Sequence, residues 1–65
     1  MKIIVNAKPH DIAGNTLEAA LQELGYTSPA VATALNGAFV TRANRGDAQL
    51  AEGDRLEVLA PMQGG

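Results

Sequence analysis

The residues best suited to chemistry stand at the end of the sequence, where Gly64 and Gly65 close the chain. Without side chains, both can pass through a channel in another protein where Cβ atoms would clash, and the group they deliver is the terminal carboxylate. A carboxylate is a poor electrophile, because charge and resonance resist attack and its oxygen leaves badly. Activation by ATP to an acyl-adenylate removes that obstacle, and a sulfur nucleophile can then displace AMP to leave a thioester, an acyl disulfide or a thiocarboxylate. None of these steps asks for a catalytic side chain on this chain. It asks for a thin arm and a body that others recognise.

Elsewhere the familiar constellations are missing. His10 is the one histidine, beside Pro9; without a second ligand or a spaced carboxylate it reads as a solvated turn residue and not as a metal ligand or base. Ser28 stands before Pro29 with no base near it in sequence, and no glycine-rich stretch has the spacing that cradles phosphate. Asp47, Glu52, Asp54 and Glu57 gather toward the end of the chain. They read as a solvated face, or more weakly as a patch for a basic partner. With no cysteine there is no disulfide, thiol nucleophile or Cys-based zinc site.

Size and charge exclude more. The chain has 65 residues, 46% hydrophobic and 18% charged, which describes one small folded domain with no enclosed cavity to spare beside its core. A net charge of -2 with no basic run argues against nucleic acid. No apolar run approaches the roughly 20 residues that span a bilayer, and a strand-like segment follows Met1 directly where a signal sequence would stand, so the expected compartment is the cytoplasm.

The elements that must carry the arm follow from pattern. Met1–Val5 is rich in β-branched residues and predicts a strand; polar, turn-prone Asn6–His10 starts a hairpin whose return covers about Lys8–Ile12. Pro9 can donate no ladder hydrogen bond, so that return is short or at a sheet edge. Leu17, Leu21 and Leu24 with Ala20 form one apolar helical face, Asn15 or Thr16 caps its start, Glu18 suits the dipole and Gly25 ends it. Ala30–Leu35 and Ala38–Thr41 flank Asn36-Gly37, a strong hairpin signal. Arg42–Gln49 is polar and irregular with room for one helical turn, Glu52-Gly53-Asp54 is a tight turn, and Arg55–Ala60 is the last strand. Pro61 then projects Met62, Gln63, Gly64 and Gly65 away from a domain of residues 1–61 as a flexible tail. A mixed sheet of about five strands on one helix, an α+β arrangement, gives both hairpins and the helix a common core.

The closing Gly-Gly on this element order resembles the ubiquitin-like β-grasp. More specifically, residues 34–42 (ALNGAFVTR) and 52–65 (EGDRLEVLAPMQGG) resemble the sulfur carrier proteins of thiamine biosynthesis, the ThiS family, and the resemblance spans nearly the whole chain. Thr41 stands where many relatives carry proline. The resemblance implies that Gly65 becomes a glycyl adenylate on an E1-like adenylyltransferase, which uses ATP and Mg. Gly65 then becomes 1-thioglycine with sulfur from a cysteine persulfide, supplied by a cysteine desulfurase or similar donor, and passes that sulfur to thiazole synthase. It implies no cofactor or metal on this chain, and no catalytic residue.

Other readings share the same first step. These are a carrier for another sulfur pathway, molybdopterin or cysteine, and a protein-conjugation tag ending as an isopeptide on lysine. A regulatory binding domain with an incidental Gly-Gly is the third. For partner docking, strand alternation turns Leu56, Val58 and Ala60 toward the core and Leu59 outward, and Ile3 and Val5 inward with Ile4 outward. An apolar patch of Leu59 and Ile4, with Phe39 either in it or in the core, is expected beside rim charges Arg42, Arg55 and Glu57.

Overall fold

The computed structural model describes residues 1–28 and 30–60 of the chain. β1 (Lys2–Val5) and β2 (Lys8–Asp11) form an antiparallel hairpin, α1 (Leu17–Glu23) follows, β3 (Ala32–Leu35) and β4 (Ala38–Val40) form a second hairpin, and a 3₁₀ turn at Arg42–Asn44 begins the crossing to β5 (Arg55–Leu59). The sheet order is β2-β1-β5-β3-β4. β5 lies at its centre, parallel to β1 and antiparallel to β3. This is the ubiquitin-like β-grasp, a mixed five-stranded sheet with one helix against it.

Both hairpins close in two residues at positive φ, Asn6-Ala7 (49° and 72°) and Asn36-Gly37 (51° and 85°). That backbone twist matches the twist of the strands it joins. Because the first turn is so short, the chain is back in the sheet by Lys8. His10 is therefore a half-buried strand residue opposite Ile3, and not the solvated turn residue its surroundings in sequence suggest.

Leu17, Ala20 and Leu21 bury one face of α1 against Ile3, Val5, Leu56 and Val58 from the inner face of the sheet, with Ile12, Val31 and Leu50 closing the core. The first helical amides all find acceptors: Leu17 N donates to Ala48 O, Glu18 N to Arg45 O and Ala19 N to the Thr16 hydroxyl. The irregular crossing is thus the lid on the helix N-terminus. Its anchor is Arg45, buried although charged, which donates through Nε to Thr33 Oγ1 (3.2 Å) and through its terminal nitrogen to Val31 O. β3 begins at Ala32 and not at Ala30, because its partner β5 ends at Leu59, opposite Ala32. Ala60 also departs from expectation. The ladder with β3 ends at the Ala32–Leu59 pair, so Ala60 has no strand neighbour there and is exposed instead of facing the core.

Candidate docking face

The helix and the crossing cover one side of the sheet, and the side chains that alternate away from them build the other. Register places them in rows across the strands. Pro9, Ile4 and Arg55 align on β2, β1 and β5; Glu57, Ala34 and Phe39 align on β5, β3 and β4; Leu59 and Ala32 align on β5 and β3. Phe39 and Leu59 are 70% and 73% exposed, although both are large and apolar. Such exposure on adjacent rows of one face makes it the candidate interaction surface. An open groove of about 360 Å³ runs between them, lined by Ala32, Ala34, Glu57 and Asn6. A second lies beside Ile4, Arg55 and Glu57.

Five of the six docking residues expected from sequence therefore come together on this face. Ile4 is half-buried and contributes a flank, and Phe39, which alternation alone left between core and surface, belongs to the patch. Arg42 does not join them. It follows β4 at the start of the 3₁₀ turn, where the chain already crosses to the helix side, and it lines a depression with Glu18, Gln22 and Tyr26. Asn6 was legible only as a turn residue, yet it lines the groove between Phe39 and Leu59. Its signal was the asparagine itself, which tolerates positive φ and carries a polar side chain into the sheet.

Arg55 and Glu57 stand beside the apolar patch, two residues apart on one strand, Lys2 and Asp11 share the same side of the sheet on the β1–β2 hairpin, and among the described residues no group of three or more His, Cys, Asp or Glu could hold a metal ion. No helix of the described residues is long and apolar enough to cross a membrane. The face lies beside the exit of the chain: Leu59 ends β5, and Ala60 is the last described residue. Met62, Gln63, Gly64 and Gly65, the expected tail, lie outside the described residues, as does Pro61.

Comparison with known proteins agrees with this geometry. Residues 3–65 match the model of the ThiS family. The chain is 38% identical over 61 residues to the sulfur carrier protein ThiS of Thermus thermophilus, covering 94% of this chain and 95% of that one. It is 42% identical over a 66-residue alignment to a thiazole synthase of Magnetococcus marinus, of which it spans only 20%. The crystal structure of a thiamine biosynthesis protein (ThiS) from Geobacter metallireducens superposes with a TM-score of 0.82 at 29% identity, covering both chains completely. A solution structure of a thiamine biosynthesis protein from the same organism gives 0.78 at 31%, covering 100% of this chain and 88% of that one. With the family match running through nearly every residue and the sheet, helix and hairpins in the same arrangement, the chain belongs to the ThiS family.

Proposed function

We propose that this chain carries sulfur for thiamine biosynthesis, as a thiocarboxylate on Gly65. The observation that carries the reading is the family match, which extends through Gly64 and Gly65 to the end of the sequence. In this reading the Gly65 carboxylate attacks the α-phosphate of ATP on an E1-like adenylyltransferase, releasing pyrophosphate and leaving a glycyl adenylate. A persulfide sulfur then displaces AMP to leave an acyl disulfide, a thiol of a partner protein attacks the partner-side sulfur of its S–S bond and keeps that sulfur in a new disulfide, and Gly65 departs as 1-thioglycine. A thiocarboxylic acid is a stronger acid than a thiol and is ionised near neutral pH, so its thiocarboxylate anion offers the acceptor a soft nucleophile. Thiazole synthase is the acceptor, a role supported by the thiazole synthase that contains a stretch similar to this chain.

The body contributes recognition. Phe39 and Leu59, flanked by Ile4, Arg55 and Glu57, form the surface that the adenylyltransferase grips, and Leu59 puts that grip next to the exit of the chain. All catalytic groups, and the ATP and Mg, belong to partners. The test is incubation with the adenylyltransferase, Mg-ATP and a persulfide donor. The mass rises by exchange of one oxygen for one sulfur, fragmentation places the change on Gly65, and omission of ATP abolishes it. Adenylation without sulfur gain, followed by joining to lysines, would instead establish a conjugation tag. Transfer to a molybdopterin precursor in preference to thiazole synthase would move the carrier to another pathway.

A further inference from the structure

β1 and β5 run parallel only as far as Val5 and Leu56, because β1 turns away at Asn6-Ala7 while β5 continues to Leu59. The last backbone rung is Asn6 N to Leu56 O, 2.9 Å. Had β1 continued, the next two rungs would have come from the carbonyl of residue 6 and the amide of residue 8, both directed at Val58. The Asn6 carboxamide supplies both. Its Oδ1 accepts from Val58 N at 2.9 Å, and its Nδ2 donates to Val58 O at 3.2 Å.

The same device recurs at the opposite end of β5. Asn36, at φ 51°, donates its backbone N–H to Arg55 O at 2.7 Å. Its Oδ1 accepts from Arg55 N at 2.9 Å, and its Nδ2 donates to Asp54 Oδ1 at 3.1 Å. Two turn asparagines thus hold the two ends of the central strand, and only one of those ends leads to the tail.

The geometry points to Asn6 as a positioning residue for delivery of the tail: its carboxamide holds Val58, and so fixes where and in which direction the chain leaves the sheet toward Gly65. The inference rests on the tail function proposed above and adds a residue to it. Recognition and delivery then adjoin at Asn6, which lines the groove between Phe39 and Leu59 and acts on the arm through Val58. The face at Phe39 and Leu59 sets how tightly the body is held, while the Asn6 clamp sets where the arm starts relative to that body. Release of the β1 side of Val58 leaves β5 held there by β3 alone. The exit point then wanders, and a displacement of about 1 Å at a reacting group can cost about a hundredfold in rate.

Asn6→Gly tests this without breaking the turn, since glycine accepts the positive φ at residue 6 and lacks only the carboxamide. Asn36→Gly is the matched control at the far end of the strand. In the free protein, followed by amide hydrogen exchange, Asn6→Gly speeds exchange at Val58 about tenfold and leaves Arg55 unchanged, and Asn36→Gly does the reverse. Pyrophosphate release with the adenylyltransferase is measured well below the melting temperature of each variant. Under these conditions, with carrier at saturating concentration so that any change of the groove wall is confined to KM, Asn6→Gly lowers kcat about tenfold, while Asn36→Gly keeps the wild-type kcat. Unchanged Val58 exchange in Asn6→Gly overturns the clamp. A kcat equal to wild type, or one lost equally in both variants, overturns the positioning role. A wild-type chain that is never adenylated overturns the tail function and the delivery role with it, and the exchange contrast still reads the clamp by itself.

Discussion

Gly14 approaches the helix so closely that a Cβ built on it would lie 2.6 Å from the Cβ of Ala19, which is fixed to the helix backbone and cannot swing aside. Gly14→Ala is therefore expected to lower stability by about 1–3 kcal/mol, the range for forcing extra volume into a packed site, read as a shift of the urea midpoint with unchanged slope. Ala7 presents the opposite case. It occupies the second turn position at φ 72°, where a Cβ is strained and nothing in the turn requires one. Ala7→Gly is expected to raise stability by up to about 1 kcal/mol, with the same measurement; a fall would show that the strain is already relaxed. These two positions also show what sequence could and could not disclose. Asn36-Gly37 announced its hairpin because both residues are typical of positive φ. Asn6-Ala7 makes the same turn with a residue that favours neither that conformation nor any turn, so only the general polarity of the segment was readable.

At the scale of elements, the helix and second hairpin were legible because their signals are local: leucines at helical spacing, a Thr16 cap, and an Asn-Gly between two apolar runs. The crossing from β4 to β5 was not, because what orders it lies far away in sequence. Arg45 reads as one more polar residue in an irregular stretch, yet it is buried and spans to Val31 and Thr33, while its carbonyl receives the amide of Glu18. It joins crossing, strand and helix at one point. Arg45→Ala removes the donors to the Val31 carbonyl and the Thr33 hydroxyl together, and the expected loss is about 2–3 kcal/mol in denaturant unfolding. Arg45→Lys is expected to recover only part of that, because one ammonium on a flexible stem cannot reproduce two donors of a planar fork. Full recovery by lysine would mean that the charge or the aliphatic stem matters and the fork does not.

The molecule as a whole divides its labour between two sides of one sheet. The inner side holds it together, and for 65 residues the total stability is on the order of 3–10 kcal/mol. Leu17, fully buried where α1 meets the sheet, cannot be truncated cheaply on that scale: Leu17→Ala costs about 2–5 kcal/mol, a large share of the total. The outer side bears little of this load. Phe39 and Leu59 are mostly exposed already, so replacing both with serine removes little buried apolar area and leaves the melting temperature within a few degrees of wild type. For partner binding the order reverses. Large apolar groups at the centre of an interface contribute on the order of 1–2 kcal/mol or more each when truncated, so the Phe39→Ser, Leu59→Ser double variant is expected to weaken adenylyltransferase binding at least about tenfold. Leu17→Ala, measured at a temperature where it remains folded, is expected to bind as wild type does. Calorimetric binding set beside thermal unfolding for the two variants distinguishes these roles. If the double variant binds normally, the exposed face is not the grip, and recognition must then lie on the helix side, where Arg42 stands with Glu18 and Tyr26.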